Sequence, residues 1–159
     1  MNQNVKEAEY LKNFLFSLIL KSNEILKIIM KIVEGNINKN RKFIESKNVD
    51  ILYAVDNGAI NDFLHSRNSG LNQVLLAIAK KNKVKIGFDF NRILRNKGRE
   101  RALILGRMMQ NVKLCRKYKV KMILLNNAKN KYEERSVDLL KNFGLIIGMT
   151  GEEAKGAII

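Results

Sequence analysis

A chain of 159 residues, 46% of them hydrophobic, holds one domain's worth of core, and its charge is lopsided: Lys+Arg 30 against Asp+Glu 15, a formal +15. Length speaks against two independent domains, apolar content interspersed with charge speaks against disorder, and the cation excess favours polyanionic partners. The single Cys115 has no internal partner for a disulfide and falls at an apolar phase of a predicted helix, so it reads as core packing. The run "FLFSLIL" (Phe14 to Leu20) is too short to cross a bilayer. "EAEY" precedes it and no small-residue cleavage site follows, so the chain is expected to be cytoplasmic.

The predicted elements begin with a helix over residues 1–26, with Leu11, Leu15, Leu18 and Ile19 on one face, although its "FLFSLIL" centre also suits a strand. "KIIMKIV" (Lys27 to Val33) is β-branched and strand-like, "NINKNRKFIESK" reads as a short polar helix closed by Asn48, and "VDILYAV" (Val49 to Val55) is a second strand. A loop at Asp56, Asn57 and Gly58 leads to the helix "GLNQVLLAIAKKN", capped by Ser69 or Asn68. "VKIGFDF" (Val84 to Phe90) is a third strand, "NKGRERALILGRMMQNVKLCRKYK" a long helix and "VKMILLNN" a fourth strand. "SVDLLKNF" is a helix stopped by Gly144, "GLIIGM" a short fifth strand, and "TGEEAKGAI" a final helix capped by Thr150, with acidic residues in its first turn. There is no proline and no Gly/Ser-rich linker, so residues 27–159 read as one series of β/α units. Continuous apolar strands alternating with helices imply parallel pairing with both faces covered. A doubly wound sheet or a (β/α) barrel would satisfy the pattern, and about five strands fall short of the eight of a closed barrel.

Charge is concentrated as well as abundant. From Lys80 to Lys121 there are nine lysines and six arginines against Asp89 and Glu100, a net +13. In parallel β/α architectures functional groups gather at the carboxyl ends of strands. Arg92, Arg95, Lys97, Arg99 and Arg101 follow such an end and enter the next helix, whose N-terminal N–H groups and dipole favour phosphate. The plainer alternative is a helix whose exposed first turn happens to be basic.

Catalytic signatures are sparse. The one histidine, His65, sits in a loop, and a hydrolytic metal site wants several. Asp56 and Asp89 stand near the ends of separate strands and form the one pair to weigh for acid–base work or Mg²⁺, although Asp89 serves equally as a cap or as a partner of Arg92. Neither GxxxxGK[ST] nor GxGxxG occurs, and Ser69 lies in no nucleophile elbow.

In order along the chain come "ESKNVDILYAV", "SRNSGLNQVLLAIAKKNKVKIGFDFNRIL" and "RERALILGRMMQNVKLCRKYKVKMILLNNAKNKYEERSVDLLKNFGLIIGMTGEEAKGAI", preceded by "EGNINKNRKFIE" with its Asn40–Arg41 pair. This series resembles the protein component 3 family of archaeal ribonuclease P, whose eukaryotic relative is the p30 subunit. The resemblance covers Ile28 to Ile159.

It implies a TIM-barrel-like fold, of the type of the PHP metal-dependent phosphoesterases but without their metal-site histidines. It also implies a protein that assists an RNA enzyme in removing the 5′ leader of precursor tRNA. Mg²⁺ would then belong to the RNA subunit, with no cofactor, metal ligand or catalytic residue on this chain. The expected partners are ribonuclease P RNA, ribonuclease P protein component 2 and, indirectly, precursor tRNA, with no membrane. Expected RNA-contacting residues are Arg67, Lys80, Lys81, Lys83, Arg92, Arg95, Lys97, Arg99 and Arg101, with Ser69 and Gly70 as a candidate phosphate-binding turn. Reversing Arg92, Arg95 and Lys97 to Glu is expected to weaken RNA binding and leave the fold intact. The helices around "GRMMQNVKLC" and "SVDLLKNF" are the candidate protein-contacting faces. One departure stands out: "MNQNVKEAEYLKNFLFSLILKSNE" occupies the place of one or two strand–helix units of the family. A shortened barrel would leave an apolar strand edge to be covered.

Overall fold

The apolar runs become four short strands, β1 (Ile32–Glu34), β2 (Ile51–Tyr53), β3 (Lys85–Asp89) and β4 (Met122–Leu125), all parallel and side by side in chain order. The computed structural model describes residues 30–158, and the helix expected over residues 1–26 lies outside them. Register runs Val33 to Leu52, Leu52 to Ile86 and Ile86 to Met122. The helices are α1 (Asn40–Glu45), α2 (Gln73–Lys81), α3 (Phe90–Arg95), α4 (Gly98–Tyr118), α5 (Val137–Ile146) and α6 (Gly151–Gly156), with a 3₁₀ turn at Lys131–Glu133.

When each right-handed crossover steps to the next strand in the same direction, all connecting helices fall on one face. The core obeys this. Leu52, Ile86, Phe88 and Leu124 from one sheet face cluster with Ile44 of α1, Leu76 and Ala79 of α2, Ile104, Met108, Val112 and Cys115 of α4, and Phe143 near the end of α5. Ile51, Ile123 and Leu125 point to the other face and are also buried. Between them Gly87 makes room: a Cβ there would come within 2.8 Å of Leu125 and 2.9 Å of Tyr53. Fully burying a Leu or Ile side chain contributes about 1.5–3 kcal/mol, so this core is the main source of stability.

Helix ends explain the strand starts. At the end of α2 the Val84 N–H donates to Ala79 O (2.9 Å) and the Lys83 N–H to Lys80 O (3.2 Å). At the end of α4 Val120 donates to Cys115 O (2.9 Å) and Lys119 to Arg116 O (3.2 Å), and after α5 Met149 donates to Gly144 O (2.9 Å) and Gly148 to Leu145 O (3.0 Å). This paired bonding needs a left-handed residue, supplied by Lys83 (φ 60°), Lys119 (φ 56°) and Gly148 (φ 95°). The next residue, Val84, Val120 or Met149, is buried each time. At the β4 edge, Leu124 N–H donates to Ala157 O at 2.7 Å, so the segment after α6 satisfies a backbone donor there.

Several boundaries differ from expectation. The cap of α2 is Asn72, whose side chain accepts from the Leu75 N–H, rather than Ser69 or Asn68. β2 ends at Tyr53 because Ala54 turns left-handed (φ 50°), and β3 ends at Asp89, whose carboxylate accepts from the Asn91 N–H and starts α3. α1 stops at Glu45, with Ser46 as its cap, short of Asn48. "GLIIGM" is no strand: it forms the last turn of α5 and its cap. Leu140, Phe143, Gly144 and Ile147 are buried while Leu145 and Ile146 are exposed, which is helical rather than alternating spacing. Gly144 does not stop the helix; it lets Leu124 and Ala154 approach, a Cβ there meeting them at 3.0 and 3.1 Å. Thr150 caps α6 as expected, in a reciprocal capping box with Glu153.

Candidate nucleic-acid interface

The carboxyl ends of the strands are organised by ion pairs. Asp56, after β2, is 3% exposed and accepts two bonds from the Arg92 guanidinium of α3, Nη1 to Oδ1 and Nη2 to Oδ2 (3.1 Å). Arg107 of α4 stands 3.7 Å from the same carboxylate, donates through Nε to Asp62 (2.9 Å) and through Nη1 to Ala59 O (3.2 Å). Arg67 reaches Asp62 at 3.4 Å. Burial opposes ionisation of Asp62, but the Arg107 hydrogen bond, the Asn68 N–H and the charges of Arg107 and Arg67 hold its carboxyl below the ordinary range. The result is a file of alternating charges, Arg92–Asp56–Arg107–Asp62–Arg67, that pins the loop after β2 against α3 and α4.

Asp89 has other partners. Its carboxylate accepts from the N–H groups of Asn91 (3.1 Å) and Asn127 (3.4 Å), and burial pushes its carboxyl above the usual range despite those bonds. Asp56 and Asp89 are therefore each committed to separate structural tasks, a guanidinium clamp and a helix cap. Arg95 donates to both oxygens of Glu133 (3.3 and 2.6 Å) and to Asn127 O. The Arg95 hydrogen bonds and the Lys129 N–H hold the Glu133 carboxyl at about 2. Arg101 donates to Asn96 O at 2.7 Å. Among the described residues, no three His, Cys, Asp or Glu side chains converge where a metal ion could sit.

Ser69 is buried and Gly70 half-buried at the exit of β2. Ser69 is 2% exposed; its Oγ accepts from Gln110 Nε2 (3.2 Å) and its carbonyl from Asn111 Nδ2 (2.9 Å). Gly70 (φ 77°) lies so close to β2's exit that a Cβ would fall 2.0 Å from Val55 O. Asn40 stitches the same region: its Nδ2 donates to Val55 O (2.6 Å) and Gly70 O (3.0 Å), and its Oδ1 accepts from Asn36 N–H (2.9 Å).

The expected RNA-contacting residues fall at both ends of the sheet. Lys97 and Arg99 lie exposed at the carboxyl end of the sheet, where α4 begins after a left-handed Gly98 (φ 52°). Arg67, Arg92, Arg95 and Arg101, also expected to contact RNA, donate to protein oxygens. Reversing Arg92 is therefore expected to break the Asp56 clamp as well as change the surface charge. Lys80, Lys81 and Lys83 lie at the opposite end, where α2 gives way to β3. There Lys80, Lys83, Lys85, Lys119 and Lys121 line one groove with Ala79, Val84 and Val120. Lys85, Lys119 and Lys121 were not foreseen as site residues. Their signal is a repeated KxKVK, at 81–85 and 117–121, which parallel pairing of β3 with β4 sets side by side. No helix among the described residues is long and apolar enough to cross a membrane.

Fold and surface together define a class: a parallel β/α protein, wound in one direction, whose positive charge collects at the strand ends. Within that class the sequence is specific. The family described as RNase P subunit p30 matches residues 24–159, and the chain belongs to it. It is 33% identical over 133 residues to ribonuclease P protein component 3 of Thermococcus gammatolerans, covering 84% of this chain and 58% of that protein. To the component 3 of Methanosarcina acetivorans it is 32% identical over 144 residues, covering 91% and 56%. Its structure is similar to a chain in the cryo-EM structure of archaeal ribonuclease P with mature tRNA, with a TM-score of 0.66, 30% identity, and coverage of 79% of this chain and 52% of that one. The chain thus spans about half the length of the relatives it matches.

Proposed function

We propose that this chain acts as a protein subunit of ribonuclease P, assisting RNA-catalysed removal of the 5′ leader from precursor tRNA. The observation that carries the reading is the family match over residues 24–159, joined to likeness with a chain of an archaeal ribonuclease P bound to mature tRNA. Strands in chain order with helices on one face among the described residues support a TIM-barrel-like fold. In this reading the RNA subunit holds the catalytic Mg²⁺, component 2 is the protein partner, and the cytoplasm is the site of action.

This chain supplies cations. Lys97 and Arg99 at one end of the sheet, and Lys80, Lys81 and Lys83 at the other, contact RNA phosphates and release counterions. Arg67, Arg92, Arg95 and Arg101 hold the loops that carry them. With roughly five phosphate contacts, affinity drops on the order of a few hundred fold between about 50 and 200 mM salt. Shape is read in preference to sequence, because aromatic residues make up only 7% of the chain and no RNP-type pair is present for stacking bases.

The test is reconstitution. Catalytic ribonuclease P RNA, component 2 and this chain are combined with precursor tRNA at a Mg²⁺ concentration too low for the RNA alone. Restored leader cleavage is the expected result; cleavage that is the same with and without this chain rejects the assignment.

A further inference from the structure

We propose that the lysine groove at the amino ends of β3 and β4 is a separate seat for a phosphodiester backbone, engaging an RNA strand on the side of the molecule opposite Lys97 and Arg99. The inference rests on the reading of the chain as an RNA-binding subunit and adds where on the fold that binding is strongest.

Three observations carry it. First, the same five-residue pattern, KxKVK, occurs at Lys81–Lys85 and Lys117–Lys121, both times at a helix-to-strand junction. Register pairs Ile86 with Met122, so the two copies are neighbours, and Lys80, Lys83, Lys85, Lys119 and Lys121 line a common groove of about 450 Å³ with no acidic side chain in its lining. Among the described residues these five lysines form no side-chain ion pair, whereas Arg41, Arg67, Arg92, Arg95, Arg107 and Arg116 all do.

Second, two of the lysines occupy strained backbone. Lys83 and Lys119 take the left-handed conformation that glycine or asparagine adopts more easily. The equivalent turn after α5 uses Gly148, so the relaxed solution exists in this same chain. With lysine at both, each side of the groove carries a long cation where glycine would cost the backbone less; the third left-handed lysine, Lys47, lies outside the groove lining.

Third, the local field survives its opponents. The C-termini of α2 and α4 bring about half a negative charge each. Asp50, whose carbonyl accepts from the Lys85 N–H at 2.8 Å, adds one more. Five lysines against those still leave about +3 in a concave surface, which focuses the field. The groove's apolar members, Ala79, Val84 and Val120, are buried in the core, so there is no protruding apolar face for insertion into a lipid surface.

The experiment uses the full 159-residue chain. Lys83→Asn, Lys119→Asn, Lys85→Gln and Lys121→Gln are combined, asparagine being chosen because it accepts the left-handed backbone, and circular dichroism checks that the fold is retained. Fluorescence anisotropy then measures affinity for a labelled RNA duplex between about 50 and 200 mM KCl, with Lys97→Gln/Arg99→Gln as the comparison at the other end of the sheet. The expected result is a loss of affinity of about tenfold or more, and a fall of about 2 to 4 in the slope of log affinity against log salt, for the four-lysine variant. Unchanged affinity and slope in that variant, with a loss at Lys97 and Arg99, overturns the groove and leaves RNA binding standing. Failure of the parent chain to bind the duplex at the lowest salt overturns both. If the variant instead loses binding to phosphatidylserine vesicles while its RNA affinity is unchanged, the groove is a membrane contact and the proposal falls.

Discussion

Arg92 and Asp56 face each other across the carboxyl end of the sheet, the guanidinium of α3 giving both of its terminal nitrogens to the two carboxylate oxygens of the residue that closes the β2 turn. The side chains are 16% and 3% exposed. An arginine that sequence pattern alone assigns to RNA is spent inside the protein.

Removing one member of a buried pair strands the other, at a cost of about 3–5 kcal/mol. Asp56→Asn and Arg92→Gln are each expected to lower unfolding free energy by about 3 kcal/mol in urea denaturation, with the double variant losing less than the sum. Measured where both remain folded, their RNA affinity and its salt slope are expected to match those of the parent chain.

Acid should loosen two other clamps. The Glu153 carboxyl is held at about 2, chiefly by the Arg116 hydrogen bonds (2.8 and 2.6 Å), and the Glu133 carboxyl at about 2, chiefly by Arg95, against an ordinary value of 4.5. Each group binds fewer protons folded than unfolded, so each contributes stability that is full above pH 4.5 and disappears as pH falls toward 2. Asp89 has the opposite sign: its raised carboxyl makes the folded state hold its proton longer, so stability declines as pH rises above the ordinary 3.8. Glu153→Gln, which keeps an acceptor for the Thr150 N–H, is expected to lower Tm by a few degrees at pH 7. The gap to the parent protein should close on approaching pH 2 in a thermal melt series.

Lys83 and Lys119, two of the three left-handed lysines, carry a conformational cost that asparagine or glycine would relieve. Lys83→Asn and Lys119→Asn are each expected to raise stability by about 0.5–1 kcal/mol, seen as a higher urea midpoint with an unchanged m-value. A fall in midpoint would mean that the lysine stems pack against the helix ends more than the backbone strain costs.

Much of this architecture is written locally. Apolar runs at Ile51, Ile86 and Ile123 mark the strands, Thr150 with Glu153 announces its own helix, and Cys115 sits in the core where its helical phase put it, its thiol pushed up to about 12 by burial. The missing fifth strand shows the limit of pattern, because "GLIIGM" is apolar enough for either state and only the packing of Gly144 against Leu124 and Ala154 decides for helix. The basic site was half legible. Charge density around Lys80–Lys121 is visible in the sequence, but which cations are free depends on partners distant in the chain: Asp56 for Arg92, Glu133 for Arg95 and Asp62 for Arg107. No local spacing encodes those pairings. The neighbouring KxKVK copies were visible as letters, yet only β3–β4 pairing makes them one surface.

On the proposed function, this chain contributes cations and scaffolding to an RNA enzyme, and leader removal depends on the RNA. Single-turnover cleavage of precursor tRNA with Mg²⁺ and protein, with the catalytic RNA present or omitted, tests it most directly. Leader removal that requires the RNA and is unaltered by Asp89→Asn is the predicted result; cleavage by the protein alone, abolished by Asp89→Asn, would contradict it.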